Sequence, residues 1–162
     1  MILSSPLNDL ANQARTNGDR LLLRDGDQSL SFAEVYKRIC SIGSFLHTLD
    51  VKKGDRVGVL MGKSHRQVLA QLGALASGAV MVPISDLLKP EQAQYIVNDC
   101  GIGALIIDHD KIERLGHLKE KVKIIEAGGN GSVTLDSIAQ MGLASYQPDI
   151  VGQDSAAIIY TS

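Results

Sequence analysis

The chain has 162 residues, 44% of them hydrophobic, which is enough for one domain with a core of its own. A formal charge of −2 supplies no basic stripe, so neither nucleic acid nor an anionic membrane is expected as a partner. Cys40 and Cys100 lie far apart without Cys-x-x-Cys spacing, which argues against a disulfide framework or a zinc site and fits reduced thiols in a cytoplasm.

Met1 to Pro6 has no basic segment and too short an apolar run for a secretory signal. Ser5-Pro6 then offers an N-cap followed by proline at the first helical position. Leu7, Leu10, Ala11 and Ala14 recur at helical spacing as far as Gly18. Leu21 to Leu23 and Leu30 flank Asp25-Gly26-Asp27, the pattern of a β-hairpin. Ser31-Phe32-Ala33-Glu34 is a capping box, with Leu30 and Val35 placed as a hydrophobic staple. It opens a helix from Phe32 to about Leu49 whose apolar stripe includes Val35, Ile39, Ile42 and Leu46.

Val57 to Met61 is apolar on both faces, as a central parallel strand requires. Ser64 to Gln67 reads as a second capping box, opening a helix that stops at Gly78. The uncharged run from Gln67 to Ser85 approaches the ~20 residues that a membrane span needs. Gly78 divides it, however, so it reads as a buried helix handing over to a strand from Ala79 to Val82, and no membrane span is expected. Pro90 begins a helix closed by Gly101, and Ala104 to Ile107 is the next strand. Beyond it come a short helix around Ile112 to Leu118, a strand from Val122 to Ile125, a glycine loop at 128–131 and a short helix from near Thr134. Residues 142–153 read as a linker, and Asp154 to Ser162 as an apolar strand ending in hydroxyls. This rhythm predicts an α/β fold in one domain over residues 1–162: a doubly wound, mostly parallel sheet with helices on both faces, preceded by a short helix and a hairpin.

Most chemistry-bearing residues have an ordinary structural reading. The glycines at 128–131 do not show Gly-x-Gly-x-x-Gly and fit a surface turn. Asp108 in Asp108-His109-Asp110 is placed to cap the following helix. His47, His65, His109 and His117 lack ligand spacing, so no metal residue is assigned. Cys40 and Cys100 fit packing, and Ser155 has no nucleophile elbow, so no catalytic residue is assigned within the chain. Thr161 and Ser162 stand apart, because hydroxyls at the carboxyl end of a parallel strand suit phosphate binding.

Three stretches resemble the adenylate-forming, AMP-binding superfamily of acyl-CoA synthetases, peptide-synthetase adenylation domains and luciferases. Leu30 to Val35 with Val51 to Val59 is similar to the family's helix start and Gly-Asp-x-Val strand. Leu72 to Ile84 is similar to its second core motif. Ile158-Ile159-Tyr160-Thr161-Ser162 matches the start of the signature that continues in the family as Gly-Ser/Thr-Thr-Gly-x-Pro-Lys-Gly. Leu87 to Gln92 with Asp99-Cys100 most resembles acyl-CoA ligases associated with exosortase gene clusters, whereas Ser85-Asp86 replaces a proline-containing pair common in the family.

The resemblance implies a ligase that uses ATP and Mg2+ to activate a carboxylic acid as an acyl-adenylate and passes it to the thiol of CoA or a carrier protein. It implies that Thr161 and Ser162 open the phosphate loop, and that the chain is an N-terminal fragment, cut inside the signature and inactive alone, holding no cofactor tightly. An interrupted sheet edge invites self-association. The alternatives are a stand-alone, non-catalytic interaction module of the same fold and a flavodoxin-like nucleotide binder.

Overall fold

A computed structural model describes residues 5–131, 133–143 and 150–161. Helix α1 (Pro6–Thr16) is capped by Ser5, whose side chain accepts from Asn8 N–H. Strands β1 (Leu21–Asp25) and β2 (Gln28–Ser31) form the expected antiparallel hairpin, with a register shift between Leu21 and Leu23. In α2 (Phe32–Thr48) both halves of the capping box are made: Ser31 N–H donates to Glu34 Oε2 at 2.8 Å, and Glu34 N–H donates to Ser31 Oγ at 3.3 Å. Leu30 and Val35 are both buried in one core, which fixes the angle at which the hairpin enters the helix.

The remaining elements are β3 (Arg56–Leu60), α3 (His65–Ala76), β4 (Val80–Ile84), α4 (Pro90–Asp99), β5 (Ala104–Asp108), a 3₁₀ segment (His109–Glu120), β6 (Lys123–Ala127) and α5 (Leu135–Gln140). The strands β4, β3, β5 and β6 lie in that order, parallel throughout. Strand period decides which face each side chain meets. Val57, Val59, Ala104, Ile106 and Ile125 bury on one face with α2, α3 and α5. Leu60, Val82, Ile84, Leu105 and Ile107 bury on the other with α4 and the 3₁₀ segment. The doubly wound sheet with helices on both faces is therefore present, preceded by the short helix and hairpin. Among the described residues no helix is long and apolar enough to cross a membrane.

The helix expected around Ile112 to Leu118 is instead 3₁₀, kinked at Gly116, whose φ of 53° interrupts it. Gly78 and Gly101, at φ of 83° and 60°, take the left-handed conformation that closes α3 and α4.

The closest helix packing on the first face is set by two glycines. A Cβ on Gly73 would lie 2.4 Å from Ile42 Cγ2, and one on Gly43 would lie 2.9 Å from the carbonyl carbon of Ala76 and 3.0 Å from Ser77 N. Gly43 therefore abuts backbone that cannot move aside without displacing the end of α3. We expect Gly43→Ala to destabilise the fold by about 1–3 kcal/mol through overpacking, lowering Tm by about 2–12 °C for a chain of this size. Gly103→Ala, where a Cβ meets nothing within 4 Å, should leave Tm nearly unchanged; thermal melts followed by circular dichroism make the comparison.

Candidate functional site

All four strands of a parallel sheet end on one side, and ligands of doubly wound folds bind outside those carboxyl ends. The loop after β3, Met61 to Ser64, is held there by side chains from other elements. Gly62 N–H donates to Asp108 Oδ2 at 2.8 Å, and Lys111 Nζ donates to the same oxygen at 3.0 Å. A Cβ on Gly62 would fall 3.3 Å from Asp86 Oδ2, so the ends of β3, β4 and β5 converge. Lys111 is largely buried, which disfavours its charge, yet Asp108, Asp110 and Asp86 outweigh burial and hold its pKa above the usual lysine value. Asp108 thus stitches two strand ends together.

This geometry corrects two sequence expectations. Asp108 occupies the N-cap position of the 3₁₀ segment but makes no side-chain cap, because Gly62 N–H and Lys111 claim its carboxylate. Ser64 does cap α3 by accepting from Gln67 N–H, but Gln67 does not complete the box; its Nε2 donates to Met61 O at 3.0 Å. The backbone N–H of His65 donates instead to Asp25 Oδ2 of the hairpin at 2.8 Å. That bond and the His65 ring hold the Asp25 carboxyl below its ordinary pKa.

His109 Nδ1 lies 2.9 Å from Glu126 Oε2, beside Gly129. Among the described residues no group of three or more His, Cys, Asp or Glu comes together as a metal site.

The segment after Asp154 carries the sequence-designated hydroxyls. Met81 N–H donates to Ala156 O, and Ile158 N–H donates to Met81 O, both at 3.0 Å, so the chain runs parallel along the outer side of β4. Its contact is one isolated bridge, Met81 with Ala157, where the sequence predicts a strand through Ser162. Pro83 supplies the reason. Alternate residues of β4 face outward, so Pro83 follows Met81 on that side, and it has no N–H to donate.

The segment is fixed by side chains instead. Lys53 Nζ pairs with Asp154 Oδ2 at 2.8 Å, and the same oxygen accepts from Val151 N–H at 2.8 Å. At the other end Tyr160 donates its hydroxyl to Asp99 Oδ2 at 2.5 Å. Thr161 is left exposed on the rim of a groove of about 580 Å³ whose walls include Pro83, Ser85, Leu88, Tyr95 and Tyr160. Ser162, the second hydroxyl, and residues 144–149 of the expected linker lie outside the described residues. Sequence reasoning missed Asp99 and Tyr95: they lie on α4, and no local pattern links them to a segment 61 residues away.

The model for "AMP-binding enzyme" matches residues 10–162. Bacitracin synthase 3 of Bacillus licheniformis is 26% identical over 94% of this chain, and AMB antimetabolite synthetase AmbB of Pseudomonas aeruginosa 28% identical over 93%. The chain spans 2% and 11% of those two proteins. The crystal structure of the anthranilate CoA ligase AuaEII in complex with anthranoyl-AMP superposes with a TM-score of 0.88 at 20% identity, over all of this chain and 33% of that one. That likeness establishes the shared fold, and the match along nearly the whole sequence establishes the lineage: the chain belongs to the AMP-binding enzyme family.

Proposed function

We propose that this chain is the N-terminal portion of an ATP-dependent acid–thiol ligase, of the acyl-CoA synthetase or carrier-protein-loading kind, and that it works in a cytoplasm. The observation that carries the reading is the position of Thr161, exposed at the carboxyl side of a parallel sheet and beside an open groove, in a chain of this family. In the reaction a carboxylate oxygen attacks the α-phosphorus of ATP, the bond to the bridging oxygen breaks, and pyrophosphate leaves with the electron pair. A thiol then attacks the acyl carbon and AMP departs. Mg2+ supplies charge neutralisation on the phosphates when bound.

The part of this chain in that chemistry is to present donors. The Thr161 hydroxyl, with that of Ser162, donates to phosphate oxygens whose charge grows during transfer. Lys111, Asp108 and Asp86 hold the neighbouring strand ends in place and are engaged with one another, so they serve as scaffold. That the chain spans 2% and 11% of two relatives and 33% of the anthranilate CoA ligase supports the reading that it does not complete the reaction alone and holds ATP only weakly.

ATP–pyrophosphate exchange tests the reading. The 162-residue chain, assayed with a panel of carboxylic acids, should give background only; clear exchange overturns the claim of inactivity. In a longer polypeptide that carries this sequence and exchanges pyrophosphate, Thr161→Ala should lower kcat by about 10²-fold, the scale for removing one transition-state donor. An unchanged kcat removes Thr161 from the site.

The outer side of the terminal segment, at Ala157 and Ile159, has no partner strand among the described residues, and Ile159 is 71% exposed. We propose that the chain alone self-associates through this edge. Static light scattering should show a mass that rises with concentration; a constant monomer mass contradicts it.

A further inference from the structure

Asp99 is the last residue of α4, and no basic residue lies in that turn. An acid there opposes the helix dipole, so α4 gains nothing from it as a helix. Its carboxylate is nonetheless gripped at both oxygens. Tyr95, one turn back, donates to Oδ1 at 3.4 Å, and Tyr160 donates to Oδ2 at 2.5 Å, a short charge-assisted bond. The Tyr160 ring also packs against the second core, beside Cys100. The bond to Asp99, the ring's loss of water and the neighbouring Cys100 all push the Tyr160 phenol well above its ordinary pKa, so it remains a donor at neutral pH.

This bond lies where the backbone provides least. The ladder to β4 stops at Met81, because Pro83 cannot donate, and the Lys53 to Asp154 pair is at the far end of the segment. Between Ile158 and Thr161 the segment is linked to the rest of the fold by the hydrogen bond from Tyr160 to Asp99. From this placement we infer that Asp99 is a positioning residue: through Tyr160 it replaces the missing ladder bond and sets where Thr161 stands at the carboxyl edge of the sheet. Its meaning for catalysis rests on the reading of Thr161 as a phosphate group donor; the holding of the segment does not.

Amide hydrogen exchange measured by NMR on the 162-residue chain tests it. The Ile158 N–H, bonded to Met81 O, reports whether the segment is seated. In Asp99→Ala and in Tyr160→Phe its exchange should quicken by about tenfold or more, as expected for loss of one hydrogen bond to a charged group. The double variant should be no faster than either single one, since both remove the same bond. Asp99→Asn keeps an acceptor oxygen and should retain most of the protection, a rescue that general loosening of α4 would not give. Amides of β3 should be unaffected. Tyr160→Phe keeps the packed ring, so it remains informative even where Asp99→Ala folds poorly. Unchanged Ile158 exchange in both Asp99→Ala and Tyr160→Phe overturns the inference. In a longer, exchange-active polypeptide Asp99→Ala should also raise KM for ATP, with Asn restoring it; altered Ile158 exchange with KM unmoved would instead overturn the phosphate reading of Thr161.

Discussion

The absence of one N–H group, at Pro83, decides how the terminal segment is held at the sheet edge. β4 can offer the incoming terminal segment a single residue, Met81, before its outward-facing ladder fails. A strand seated by a continuous ladder would be fixed by backbone alone. Here the final residues depend on side chains, Lys53 with Asp154 at the entrance and Asp99 with Tyr160 at the exit. The sheet edge is therefore exposed, with Ile159 71% accessible, and is held by individually placed side chains.

Behind that edge the scaffold is conventional in its physics. β3 pairs in parallel with β4 and β5 and is buried between helices on both faces, as parallel sheets generally are. The strand ends are held at a common level by Asp108, which accepts from Gly62 N–H and from Lys111 at once. Charges that look in the sequence like candidates for chemistry are thus spent on one another. The groove beside Thr161 is lined by apolar side chains together with the hydroxyl of Ser85, the carboxylate of Glu91 and the amide of Gln92.

Features that depend on near neighbours were legible in the sequence. The Ser31–Glu34 capping box, the Asp25-Gly26-Asp27 turn and the glycines that close α3 and α4 each follow from interactions within a few residues. Asp108 shows the limit of that reasoning: its position at a helix start was legible, but a backbone donor 46 residues away took its side chain. Asp25 from the hairpin, 40 residues away, likewise reached His65 N–H at the start of α3, whereas Gln67 turned to Met61 O only six residues back. Pro83 was visible, and its consequence for the last strand follows once the outward side of β4 is known. The Asp99–Tyr160 bond had no sequence signal, because its partners meet only after α4 has folded onto the second face of the sheet.

In the proposed function the carboxyl edge at Thr161 receives the phosphates of ATP. A crystal structure of a longer polypeptide carrying this sequence, bound to a non-hydrolysable ATP analogue, tests it most directly. Thr161 Oγ1 should lie within about 3.2 Å of a phosphate oxygen, with Tyr160 still bonded to Asp99. A nucleotide bound elsewhere, with Thr161 turned away from its phosphates, would contradict it.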